Sequence, residues 1–214
     1  MIADVDVDIV AFLHDEGFLG PDAPEAARAV LEAEGLTRPG KVRMAEAKLE
    51  AARLALTTFL LRACAGCRTR ALTDADGRTL VEVAQEACPY CKGSDNRRAV
   101  SELVAACKAR GVKHLLIVGG TATLHAHLLD LIRQAGGGVQ LRVVDGAEAV
   151  HTRNEATAHM QWAHVAVIWG STPLPHKVSQ LYTQHPLAAK VKTITVTQRG
   201  IAGLCTQVMR AIAG

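Results

Sequence analysis

The chain has 214 residues, is 49% hydrophobic and 3% aromatic, and carries a formal net charge of +3. This length and apolar content build one or two packed units and exclude global disorder. Two Trp, two Tyr and three Phe argue against a sheet that reads single strands by stacking bases on aromatic rings. No uncharged apolar run reaches bilayer-spanning length, and the opening MIADVDVDIV is acidic where a secretory leader would be basic. The expectation is a soluble, cytoplasmic protein with no membrane partner.

The first 36 residues hold nine acids against one base, a net −8. Residues 37–70 hold eight bases against two acids, a net +6. A basic stretch after an acidic opening points to a polyanion partner, unless the two segments simply face each other or both are solvated. Residues 5–35 read as helix broken by Gly17, Gly20, Pro21 and Pro24, with Asp22 as a cap and Gly35 as a stop. After the Pro39-Gly40 turn, the absence of Gly and Pro predicts a long helix over Val42–Ala63. These helices form a helical hairpin or a helix-turn-helix; no residue identifies a recognition helix.

Four cysteines interrupt the helical pattern over residues 64–91. Cys64-Ala-Gly-Cys67 and Cys88-Pro-Tyr-Cys91 give CxxC–x20–CxxC, spacing that fits a four-cysteine structural zinc site. A pair of disulfides, a thioredoxin-like redox motif and an iron–sulfur site are the rivals. Four bound sulfurs leave no open coordination position for catalysis. The knuckle would clamp the helix ending at Ala63 to the one beginning at Asp95. It would also present Arg62, Arg68, Arg70, Lys92, Arg97 and Arg98 to phosphates, joining Arg38, Lys41 and Arg43 as nucleic-acid contacts. Cys107, Cys205 and Tyr90 read as packing residues.

From residue 95 the pattern changes. Helices over 95–110, 121–135, 153–162, 175–183 and 201–212 alternate with the apolar runs 114–118, 139–144, 164–169 and 191–197. Val-, Ile- and Leu-rich runs buried on both faces predict a parallel, doubly wound sheet. The expected architecture is α/β: a helical region 1–63, a zinc knuckle 64–94 and a Rossmann-like domain 95–214. Ligands of such sheets lie beyond the carboxyl ends of the strands. There stand Gly119, Gly120 and Thr121 after the first strand. His151 follows the second, and Ser171, Thr172, His176 and Lys177 follow the third. Small residues opening a helix leave amides for an anion, or simply allow a tight turn. Hydroxyls, an imidazole and a cation together suit an anionic small ligand or a nucleotide. His151 and His176 are the candidate acid–base pair. There is no GxGxxG, no phosphate loop, no HExxH and no Ser-His-Asp order.

The run from LLIVGG through VDGAEAVHTRNEATAHMQWAHVAVIWGSTPLPHKVSQLY resembles the bacterial domain-of-unknown-function 2325 family over about residues 114–212. The resemblance implies a Rossmann-like fold and no settled activity. The family often has His-His-Asp-Gly in its second segment. Here His151-Thr152-Arg153-Asn154 matches one histidine, and His176 falls at the family's later histidine. The leading reading is a non-enzymatic, regulatory zinc protein that associates with DNA or RNA, in prokaryotic defence or mobile-element biology. The rivals are a nuclease or nucleotide hydrolase using the rim histidines, and a homodimer joined along the 42–63 helix.

Overall fold

The computed structural model describes residues 6–145, 152–170 and 174–214. The chain divides into two compact units, Met1–Ser94 and Asp95–Gly214.

In the first unit, β1 (Asp6–Asp8) leads into α1 (Ile9–Asp15), followed by α2 (Ala23–Ala33), β2 (Arg43–Ala45), α3 (Leu49–Phe59), β3 (Leu60–Ala63), α4 (Arg68–Thr73) and β4 (Thr79–Glu82). Asp8 caps α1 by accepting from the Ala11 N–H at 2.9 Å. Asp22 stands at the cap position of α2 without a side-chain capping bond, and Pro24 falls in the first turn. Gly35, at φ +68°, follows the end of α2. β1 and β2 pair antiparallel, Asp8 opposite Arg43. β3 and β4 pair in parallel, Leu60 opposite Thr79 through Ala63 opposite Glu82.

The long helix expected over Val42–Ala63 is corrected here. Strands stand at both of its ends, and the helix proper is the 11 residues of α3. The physical reason is nonlocal. Arg43–Ala45 and Leu60–Ala63 find strand partners far along the chain, and this pairing overrides the helix propensity of Ala, Leu and Arg. The clamp expected between a helix ending at Ala63 and the next one therefore has no such helix to hold. α3 buries Ala52, Ala55 and Leu56 and leaves Leu54 and Phe59 exposed.

One core runs through this unit. It joins Ile9, Phe12 and Leu13 of α1, Leu31 of α2, Leu56 of α3 and Leu61 of β3 to Val81 of β4 and all four knuckle cysteines. The Gly17–Gly20 loop lies against the knuckle strand. The Ala84 N–H donates to the Leu19 carbonyl at 2.5 Å, and a Cβ at Gly20 would stand 2.8 Å from the Glu82 carbonyl oxygen.

The second unit consists of α5 (Asp95–Ala109), β5 (His114–Val118), α6 (Ala122–Gln134), β6 (Gln140–Val144), α7 (Arg153–Trp162), β7 (Val165–Trp169), α8 (His176–Thr183), β8 (Lys192–Val196) and α9 (Ile201–Ala213). The strands form one sheet in the order β6-β5-β7-β8, every pair parallel. Alternate residues feed opposite layers. Leu115, Ile117, Val165, Val167 and Trp169 pack with α5, α6 and α9, while Leu116, Val118, Ala166 and Ile168 pack with α7 and α8. Helices cover both faces, so this is the doubly wound, Rossmann-like α/β arrangement that the apolar runs predict. The strand order reverses between β5 and β7, which puts the switch-point crevice at the ends of those two strands.

Candidate metal centre and sheet rim

The four cysteines come together from two turns. The first follows β3: Cys64 is extended, and a 3₁₀ turn over Ala65–Cys67 is closed by the Cys67 N–H on the Cys64 carbonyl at 2.9 Å. The second follows a 3₁₀ turn over Gln85–Ala87. There the Lys92 N–H donates to the Cys88 carbonyl at 2.8 Å, and Lys92 takes the left-handed φ of +50°. The pairing of β3 with β4 fixes the two turns relative to each other.

All four sulfurs lie within 4.8 Å of one another, and those of Cys64 and Cys91 are 3.7 Å apart. All four residues are buried. Burial pushes the Cys67 thiol far above its ordinary value, and the neighbouring sulfurs push it further. Burial likewise raises Cys91 to about 11. At Cys88 burial is opposed and outweighed by backbone N–H donors from Cys64, Cys91 and Tyr90, so its thiol falls below the ordinary value. A cation in the centre of such a cluster would favour the thiolate form of its sulfurs. Four buried, converging sulfurs suit a metal ion.

The cations singled out in the sequence differ in their local partners. Arg38 and Lys41 are exposed on the turn between α2 and β2, and Arg43 is exposed as the first residue of β2. Arg68 faces Glu82 at 3.8 Å, and Arg70 lies over the Tyr90 ring at 5.2 Å. Arg62 points inward instead. Its guanidinium lies 5.0 Å from the centre of the Phe18 ring, and burial lowers its pKa against the opposing pull of Glu16 and Cys88. Arg98, in the second unit, pairs with Asp95 and Glu102 at 3.3 and 3.4 Å. Arg97 is partly buried beside it on α5, and Lys92 is exposed.

At the sheet rim, Gly119 and Gly120 both have positive φ and are packed against the protein itself. A Cβ on Gly119 would collide with the Trp169 carbonyl oxygen. One on Gly120 would stand 2.8 Å from the Trp169 ring and 2.9 Å from His125. His125 is buried and donates its Nε2 proton to the Gly119 carbonyl at 2.7 Å. Trp169 is fully buried and donates to the Gln198 carbonyl at 3.0 Å. The Thr121 hydroxyl caps α6 by accepting from the Leu124 N–H. These contacts account for the two glycines as a close approach of backbone to side chain. His176 and Lys177 are exposed in the first turn of α8. His151, Ser171 and Thr172 lie outside the described residues.

Sequence reasoning missed one feature of this face. Lys177 and Arg153 line a groove of about 630 Å³ between α7 and α8, with Gln161, Gln180 and His185. His185 is held by two hydrogen bonds. Its Nδ1 accepts from the Leu187 N–H at 3.2 Å, and its Nε2 donates to the Thr157 hydroxyl, which itself donates to the Arg153 carbonyl. Cys107 and Cys205 are buried in the apolar layer of α5 and α9, as expected. Among the described residues no helix is long and apolar enough to cross a membrane. No protein-family model, curated protein or solved structure matches the chain.

Proposed function

We propose that the protein is a non-enzymatic zinc protein whose first unit is held together by Zn²⁺ and associates with nucleic acid. The four-sulfur cluster carries this reading. A tetrahedron of thiolates at the usual zinc–sulfur distance has an edge of about 3.8 Å, and the Cys64–Cys91 separation is 3.7 Å. Bound there, Zn²⁺ supplies fixed positive charge and a cross-link between the two CxxC turns. Cys64, Cys67, Cys88 and Cys91 would all be ligands, so the centre is structural.

The nucleic-acid part rests on the stretch 38–43, the turn and the first residue of β2, which is exposed throughout and carries Arg38, Lys41 and Arg43. Three exposed cations this close in the chain track a phosphate backbone without reading bases. The test is a titration of labelled single- and double-stranded DNA and RNA with the zinc-loaded chain at two salt concentrations. Binding should weaken steeply with salt. Changing Arg38, Lys41 and Arg43 together to Gln should reduce the salt slope by about two to three. Absence of binding to all four probes at low salt overturns it.

A second reading, an anionic ligand in the second unit, is favoured by Lys177 and Arg153 sharing one groove. A nucleoside phosphate that raises the melting temperature of the wild-type chain, but not of Lys177→Gln, supports it. The resemblance of residues 114–212 to the domain-of-unknown-function 2325 family adds a fold to these readings and no activity.

A further inference from the structure

Arg62 is the third residue of β3 and precedes Cys64 by two positions. It is partly buried, yet no hydrogen bond or ion pair holds its guanidinium among the described residues. What surrounds it is a cradle. The Phe18 ring lies under the guanidinium at 5.0 Å. Gly17, at φ +80°, stands where any Cβ would collide with Nη1. The guanidinium carbon and the Ala87 Cβ both lie within 4 Å of that same position, at 3.5 and 3.8 Å, and Ala87 adjoins Cys88. The acidic groups close enough to favour its charged form are Glu16 and Cys88. Glu16 is already engaged by Arg53 at 2.7 Å.

A charge taken out of water without a partner is costly, so this arrangement calls for a compensating anion. The four-cysteine centre provides one. Four thiolates around a divalent cation carry a net charge of −2, and that surplus lies in a buried site. We propose that Arg62 is the counter-cation of the metal centre, its fixed charge offsetting the surplus negative charge of the loaded thiolate cluster. The inference rests on the zinc reading above and deepens it. Arginine suits the position because it stays ionised when partly buried and its flat head stacks on an aromatic ring. Arg62 acts through the cysteines and is a positioning residue. The same geometry removes it from the set of cations free to meet phosphate.

The test uses the full chain, reduced and metal-free, titrated with Co²⁺ and then with Zn²⁺ in competition with a chromophoric chelator. The wild type should bind one ion and show the intense sulfur-to-cobalt charge-transfer bands of a tetrahedral four-thiolate site. Arg62→Met keeps the apolar stem over Phe18 and removes the charge. It should bind one ion with the same bands and an affinity roughly 10- to 100-fold lower, the range for lost outer-sphere partners. Arg62→Lys restores the charge and should recover most of that loss. Equal affinity of wild type and Arg62→Met overturns the proposal and leaves the zinc reading standing. A wild type that takes up no ion in stoichiometric amount overturns the zinc reading itself. Should Arg62→Met fail to fold even with metal, Arg62→Lys decides. Recovery of the bands supports the charge role, and failure to recover them overturns it.

Discussion

The two units solve the problem of burying enough surface in different ways. The second encloses a four-stranded parallel sheet between two apolar helix layers. The first has strands of three and four residues, two separate two-stranded pairs, and four cysteines inside its core. Small cores with little regular sheet commonly need a staple, and here the sulfur cluster occupies that place. The difference teaches where each unit is vulnerable. Metal removal should act on residues 6–94, and repacking beneath the sheet should act on residues 95–214.

The largest expected effect is loss of the metal. Cys67→Ser, or excess chelator on the wild type, should remove on the order of 5 kcal/mol or more from the first unit. Calorimetry should then lose one transition and keep the one belonging to the second unit. Retention of both transitions without metal would break the comparison and leave the cysteines as ordinary core.

Next comes the crevice between β5 and β7. Gly120→Ala places a methyl against Trp169 and His125 at a φ of +92°. Strain and overpacking should together cost about 2–4 kcal/mol. The loss should appear in the second transition alone, with metal content unchanged.

This glycine also marks how far the sequence could be read. The apolar runs of β5 to β8 and their intervening helices were legible because a parallel strand buried on both faces is continuously apolar. Val165–Trp169 is such a run. The cysteine cluster was legible for a similar reason, since a ligand set is a spacing. What could not be read was set by distant partners. Gly119 and Gly120 are explained by Trp169, some fifty positions away. Arg43–Ala45 and Leu60–Ala63 look like continuing helix until β1 and β4 pair with them. Arg62 reads as one more surface cation, and Phe18 and Gly17 turn it inward.

Alkaline pH gives a smaller effect confined to the second unit. Burial raises Cys107 from its ordinary 9.0 to about 11 and Cys205 from 9.0 to about 12. It raises Tyr182 from 10.0 to about 12. The folded unit keeps these protons to higher pH than the unfolded chain does. Their stabilisation is therefore complete below about pH 9 and is lost as pH rises toward 11–12. A progressive loss of stability between pH 9 and 11, followed by urea unfolding, is expected. A second unit equally stable at both pH values would show that these groups are solvated.

The smallest effects give the sharpest separation of the units, because each begins at a helix cap. In the first unit the Asp8 carboxylate accepts from the Ala11 N–H at 2.9 Å. In the second, Thr152 and Glu155 cap α7 reciprocally: the Glu155 N–H donates to the Thr152 hydroxyl at 3.2 Å, and the Thr152 N–H donates to the Glu155 carboxylate at 2.8 Å. Asp8→Ala and Thr152→Ala each remove an acceptor from an exposed helix start and should each cost about 1 kcal/mol. Neither touches a buried side chain, so neither should disturb a core it does not belong to. Asp8→Ala should lower only the metal-dependent transition and Thr152→Ala only the other, with the double variant showing both shifts unchanged. A cap in one unit that moves the other unit's transition would mean that the two cores melt together, and the metal would then stabilise the whole chain.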